Sequence, residues 1–402
     1  MIKYNYTARD EAGKSVKGEM LAESELELGS KVAKMGQYLT GYKVSKGPMR
    51  TKGPSKRFHL KTTDILRFTF QLATLIDAGL PLLDGLKDMA RESGDERAQT
   101  IIDDIRYRVE AGETMEGALS FHPNSFPQLY RAIIGAGEAT GKLGQVLHDL
   151  TILLEWQMEL DSKVKEAATY PIILSLVLVG VVTILVVKVI PMFEPIFEEL
   201  HATLPLPTQI VLGVSYIVRH YWYVFPAVIG SVIFGWKSFV STAAGRYKAD
   251  SLILKVPLFG SLTRKIALSR FVHTFALSFR AGINLLTCLD IAKKTTGNVR
   301  LERAISNARD SVNVGEKLAG SLQVSGEFPP MVIRMIAVGE QTGSLTTSLL
   351  KIAEYYDKDV ASSVRKIFTA FEPIMIVTMG AVVGGIAMSI FMPMFQMVEK
   401  MG

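Results

Sequence analysis

The chain has 402 residues, 48% of them hydrophobic, and a mean hydropathy of +0.24, a balance that points to a membrane before it points to water. Its single cysteine, Cys288, excludes an intrachain disulfide framework, a CxxC redox pair and any zinc site that needs two thiolates, and its histidines form no HExxH. Lys and Arg number 45 against 39 Asp and Glu, and a net charge of +6 implies no nucleic-acid partner by itself.

Residues 1–45 read as a small α+β module. IKYNYTA and SVKGEMLA alternate apolar and polar residues around the turn DEAGK, which predicts a hairpin; a short helix through ESELELGSKVAKM and a third strand near YLTGYKV follow. MIKYNYTARDEAGK carries acids and no apolar core, so no cleavable signal is expected. Residues 46–61 form a basic linker with two prolines and no acidic residue. Phe58 is its one aromatic, so attraction to anionic lipid headgroups, at about 1 kcal/mol per basic residue, explains it better than base stacking.

Residues 62–166 read as a helical bundle. TTDILRFTFQLATLIDAG has a cap-like start, apolar residues at Ile65, Phe68, Leu72 and Leu75, and Gly79 as its stop. Pro81 opens LLDGLKDMARES, Asp95 caps ERAQTIIDDIRYRVEA, and a short turn at ETMEGALS leads to a helix from Pro127 to about Glu138. The sixth helix, from Leu143, meets only Pro171 before Met192, so a nearly continuous rod about 75 Å long is expected to leave the bundle and enter the membrane, kinked at Pro171.

The first span covers 167–190, a short loop 191–219, and a second span 220–240, which reaches full length only if Lys237 snorkels and SFVSTAAG extends it. A second bundle covers 241–372, a third span 373–395 and a tail 396–402. The loop has no Lys or Arg up to Val218 but holds Glu194, Glu198 and Glu199, and basic residues concentrate in 1–166 and 237–366. The positive-inside rule therefore places the N-terminus and both bundles in the cytoplasm, with the loop and tail in the periplasm of a bacterium.

The chain also repeats itself at an offset of roughly 200 residues, far longer than a solenoid period. Phe68, Gly79, Leu86, Gly112, Glu113 and Leu119 recur as Phe271, Gly282, Leu289, Gly315, Glu316 and Leu322; GEATGKL at 137–143 recurs as GEQTGSL at 339–345, Pro171 as Pro373, and Pro191-Met192-Phe193 as Pro393-Met394-Phe395. A whole bundle with its span is duplicated. The fold class expected is an all-α integral membrane protein with two homologous six-helix cytoplasmic bundles and three transmembrane helices.

The chemistry-bearing motifs are sparse. AGEATGKL at 136–143 is a near miss to the phosphate loop, with Ala136 at the first glycine position and Leu143 at the magnesium hydroxyl, and its second copy lacks the lysine. The expected role of Gly137, Glu138, Gly141, Gly339, Glu340 and Gly343 is structural: a helix break in which the glutamates fix the junction between bundle and long helix, with the same job and similar stability cost in each copy. Glu138 as a divalent-cation ligand is the weaker reading, because a calcium-like ion wants six or more oxygens. Gly380 and Gly384 form a small-x3-small face in the third span, suited to close helix packing. Cys288 replaces Gly85 of the other copy, so a nucleophilic role is not expected.

Duplication, topology and motifs together resemble the inner-membrane platform proteins of type II secretion and type IV pilus machines, the family of the secretion F protein and PilC. The resemblance covers essentially the whole chain and rests on the paired Phe-x10-Gly segments (Phe68 to Gly79, Phe271 to Gly282), the paired GE-x-TG-x-L segments, Pro171 and Pro373, and LPLPTQIV at 204–211. It implies a non-enzymatic hub, for which no cofactor is expected other than a divalent cation of the kind the family's cytoplasmic domain can hold. Its implied partners are a cytoplasmic hexameric ATPase, pilin or pseudopilin subunits, other inner-membrane components and further copies of itself. The competing class is a transporter or channel, which usually places ionisable residues inside the membrane; here the charges in the spans, Lys188 and Lys237, lie near their ends.

Overall fold

The computed structural model describes residues 2–9, 15–22, 29, 33, 38–44, 59–199, 205–257 and 259–401. The expected turn at 10–14, most of the helix read through ESELELGSKVAKM and the linker up to residue 58 lie outside the described residues. Strands β1 (Ile2–Arg9), β2 (Ser15–Ala22) and β3 (Tyr38–Val44) form one sheet in the order β2-β1-β3. Both pairings are antiparallel, with Tyr4 opposite Met20 on one side and Val44 on the other. A register shift at Thr7/Ala8 lets β3 stay on β1, and the Thr40 hydroxyl donates to the Thr7 carbonyl at 2.9 Å.

The first helical unit contains α1 (Thr62–Asp77), α2 (Leu82–Glu92), α3 (Glu96–Glu110), α4 (Met115–Ser120), α5 (Gln128–Ala139) and α6 (Leu143–Ile184). Helix α1 ends where Gly79 adopts φ +82°, and the amides of Gly79 and Leu80 turn back to the carbonyls of Ile76 and Leu75 at 2.9 Å, so the stop read from the sequence is a Schellman cap. Asp95 takes the Arg97 N–H at 2.9 Å, the expected cap of α3. Phe68 and Leu72, Ile101 and Ile105, and Ile133 and Ile134 converge with Leu147 of α6 in one buried core.

After α7 (Ile190–Glu199), α8 (Leu206–His220), α9 (Val224–Ser241) and α10 (Ala243–Ile253), the second unit repeats the plan in α11 (Phe259–Arg280), α12 (Leu285–Thr295), α13 (Val299–Asn313), α14 (Leu318–Val324), α15 (Pro330–Gln341) and α16 (Leu345–Met401). The duplication is visible in its core: the Phe68 and Phe126 rings lie 5.5 Å apart, and their counterparts Phe271 and Phe328 lie 5.7 Å apart. Helix α10 has no counterpart among the described residues of the first unit; its Asp250 carboxylate takes the Val299 N–H at 2.8 Å and so docks on the start of α13.

Among the described residues three helical segments are long and apolar enough to cross a membrane: Leu143–Phe193, Val224–Ser241 and Leu345–Pro393. Pro171 and Pro373 sit inside α6 and α16 without ending either helix. The interruption of the first rod falls elsewhere, at a π-helical turn over Leu185–Val189. Such a turn disturbs the usual helical pairing, and here the Ser215 hydroxyl of α8 donates to the Val186 carbonyl at 2.6 Å.

That contact corrects the reading of 191–219 as a loop. Helices α7 and α8 occupy most of it, and Val211, Leu212 and Val218 of α8 pack on Val186, Ile190 and Ile386, while the Thr208 hydroxyl donates to the Ser389 carbonyl at 2.7 Å. The physical reason is composition: LPTQIVLGVSYIV is apolar on nearly every face, with no charge to hold it in water, so it folds as a helix and packs Val211, Leu212 and Val218 inward while Leu206, Ile210 and Val214 stay exposed. Helix α9 extends past Lys237 to Ser241, but Thr242 then caps α10 through the Gly245 N–H at 3.1 Å, so SFVS continues the span and TAAG does not. Residues 396–401, read as a tail, continue α16.

Candidate functional site

The duplicated GE-x-TG-x-L segments form the corner where each bundle passes into its long helix. In the first unit α5 and α6 approach so closely that a Cβ on Gly137 would lie 2.2 Å from Val146 Cγ2; on Gly339 it would lie 2.6 Å from Ser348 Oγ. Gly141 and Gly343 adopt φ +69° and +70°, a region that L side chains rarely enter. Around Gly141 the amides of Gly141 and Lys142 return to the carbonyls of Glu138 and Gly137 at 3.2 and 2.8 Å, and the Thr140 hydroxyl donates to the Ala136 carbonyl at 2.8 Å. AGEATGKL is thus a helix-to-helix corner rather than a loop after a strand, the context a phosphate cradle requires.

The glutamates reach further than the corner. Glu138 Oε1 accepts the Met115 N–H at 2.8 Å and Oε2 the Glu116 N–H at 3.4 Å; Glu340 accepts from Leu318 and Ala319 at 2.8 and 3.3 Å. Each carboxylate caps the start of the short helix, α4 or α14, satisfying amides that have no intrahelical partner. Sequence reasoning placed these glutamates at the junction with the long helix; their partners in fact lie more than twenty residues upstream. Among the described residues no group of three or more His, Cys, Asp or Glu could hold a metal ion.

The two units meet along α6, α11 and α16. Trp156 of α6 stacks on His273 of α11 with ring centroids 3.9 Å apart, and both donate toward one oxygen of Asp357 in α16, Trp156 Nε1 at 2.7 Å and His273 Nε2 at 2.9 Å. Below this triad Leu160, Leu262, Val360, Val364 and Ile367 bury one another. Arg280 pairs with Asp149, whose carboxyl burial pushes up while the guanidinium pulls it down. None of these residues occupies equivalent positions in the two copies, so comparing copies could not reveal them; the signal lay instead in the apolar Leu153, Leu160, Ala353 and Val360 that share the faces of Trp156 and Asp357.

Pro171 is buried where α6 enters its apolar stretch, and Pro373 occupies the matching place in α16. Gly380 and Gly384 have nothing within 4 Å of an added Cβ, so their small-residue face packs on nothing among the described residues. Cys288 is fully buried and its thiol is pushed up to about 12 by desolvation, which suits a core residue and not a nucleophile. Sequence reasoning missed Thr208 and Ser215; their seven-residue spacing in an apolar helix, two turns on one face, was the available signal.

Comparison with known proteins matches the family described as type II secretion system (T2SS), protein F, twice, over residues 68–191 and 271–393, the two copies of the duplicated unit. The chain is 35% identical over 400 residues to the type IV pilus assembly protein PilC of Myxococcus xanthus, covering 98% of this chain and 95% of that one. It is 34% identical over 407 residues to PilC of Thermus thermophilus, covering 99% and 98%, and 33% identical over 410 residues to the type II secretion system protein F of Pseudomonas aeruginosa, covering both fully. A doubled six-helix unit, each copy ending in a membrane-length helix, together with two matches spanning both copies, makes this chain a member of the type II secretion system protein F family.

Proposed function

We propose that the chain is the inner-membrane platform of a type II secretion or type IV pilus machine, coupling a cytoplasmic hexameric ATPase to the assembly of pilin or pseudopilin subunits into a fibre. The observation that carries this reading is mechanical. Helices α6 and α16 are each at once the last helix of a bundle and the shaft that enters the membrane, about 63 and 85 Å long at 1.5 Å per residue, so a push on a bundle displaces its span. The triad at Trp156, His273 and Asp357 ties the two shafts together, so the units move as one.

In this reading the N-terminus and both bundles, 62–166 and 241–372, lie in the cytoplasm, the chain crosses the membrane three times, and residues 1–45 with the basic linker 46–61 form a contact module. The platform works as a homo-oligomer beneath the motor, performs no catalysis and needs no resident cofactor, nucleotide or nucleic acid. Charges confined to the ends of the spans favour it over a transporter. Deleting the gene should abolish the surface fibre or secreted cargo while the ATPase and pilins still accumulate, and the wild-type chain should restore it; fibres persisting in the deletion strain overturn the reading.

A further inference from the structure

A cavity of about 510 Å³ opens between α6 and α16 where both leave the bundles, within the size range of small-molecule sites. Its height is set by the sequence. Glu166 is the last charged residue before an uncharged stretch running from 167 to 187, and Glu372 is the last before one from 373 to 398; both line the cavity. Tyr170, in the same wall, belongs to a residue type enriched at the membrane–water boundary. The cavity therefore lies at headgroup depth.

Its walls carry charges of both signs. Lys163, which also pairs with Glu159 at 2.7 Å, and Arg365 supply donors, Glu166 and Glu372 supply acceptors, and among the described residues Arg365, Glu166 and Glu372 have no ion-pair partner. The prolines add acceptors. Pro171 and Pro373 lack the N–H that would pair with the carbonyls four residues earlier, those of Ala167 and Thr369, and both of these residues line the cavity. Two cations alone would select an anionic headgroup; two carboxylates and two freed carbonyls beside them oppose one and complement an ammonium.

We propose that this cavity is a binding site for a zwitterionic phospholipid headgroup bearing a primary amine, phosphoethanolamine, with the phosphate held by Arg365 and Lys163 and the ammonium by Glu372, Glu166 and the freed carbonyls. A primary ammonium has three N–H donors for these acceptors, and a trimethylated one has none. The site uses the duplication: each copy contributes one cation, one carboxylate and one proline-freed carbonyl.

The test is native mass spectrometry of the full-length protein released from bilayers containing equal amounts of phosphatidylethanolamine, phosphatidylcholine and phosphatidylglycerol. The ethanolamine lipid should be retained over the choline lipid by about fivefold or more, the order expected of one charge-assisted hydrogen bond. Glu166→Gln with Glu372→Gln should remove that preference, and Arg365→Gln should lower retention of the ethanolamine and glycerol lipids alike. Equal retention of ethanolamine and choline lipids, excess retention of the glycerol lipid, or an ethanolamine preference unchanged by these substitutions overturns the proposal. The wild-type comparison of headgroups stands even if a variant fails to insert.

Discussion

Replacing Glu138 or Glu340 with glutamine separates the two copies of the cap, which look equivalent in sequence. In the first unit the start of α4 is held three ways: Glu138 takes the Met115 and Glu116 amides, and Thr114 Oγ1 takes the Gly117 amide at 3.0 Å. In the second unit Lys317 stands at the cap position and supplies no side-chain bond, so Glu340 alone holds α14 through Leu318 and Ala319. Glutamine keeps one acceptor oxygen, removes the charge and turns an NH2 toward an amide N–H. One charge-assisted bond weakens and one is lost, at about 1–2 kcal/mol where Thr114 remains and about 2–3 kcal/mol where nothing does. Amide hydrogen exchange on the full chain in lipid reads this locally: opening should accelerate about 5- to 30-fold at 115–117 in the first variant and about 30- to 150-fold at 318–320 in the second. Equal acceleration, or the larger effect in the first unit, refutes the reasoning and returns the two caps to the similar cost their sequences suggest.

Gly137→Ala and Gly339→Ala should each lower thermal stability by about 1–3 kcal/mol, because the added methyl collides with Val146 or Ser348. Gly380→Ala and Gly384→Ala meet nothing within 4 Å and should leave the isolated chain unchanged, so a loss of fibre assembly in them locates a partner contact. With its thiol near 12, Cys288 should resist alkylation at pH 8 until the protein is denatured; rapid labelling of the native chain contradicts its burial. Purified protein should hydrolyse no nucleotide, and turnover that vanishes in Lys142→Ala would revive the phosphate-loop reading of 136–143.

Local signals carried most of the fold. Gly79, Asp95, Gly112 and Pro127 each punctuate a helix through its own backbone chemistry, which a sequence displays directly. The duplication doubled every such signal, and the matched family segments begin at Phe68 and Phe271, residues that head the internal repeat. What stayed hidden is non-local. Nothing near Glu138 names Met115 as its partner, nothing near Trp156 names Asp357, and nothing near the π-helical turn at 185–189 names Ser215, which arrives from another helix. From the sequence, the segment holding α8 has the length of a connection between two spans, and its burial against Ile386 becomes visible only once the third span is in place.

Bundles that receive force from a motor and pass it to the membrane must touch that motor. Exposed Tyr107 on the first bundle and Val324 on the second are suitable positions for a photo-cross-linking residue, since neither supports the core. Introduced one at a time in cells that are building fibres, and irradiated, they should trap the assembly ATPase from at least one bundle, with the adduct lost when the ATPase gene is absent. Fibres assembling at the normal rate with no ATPase adduct from any exposed position of either bundle would contradict the account.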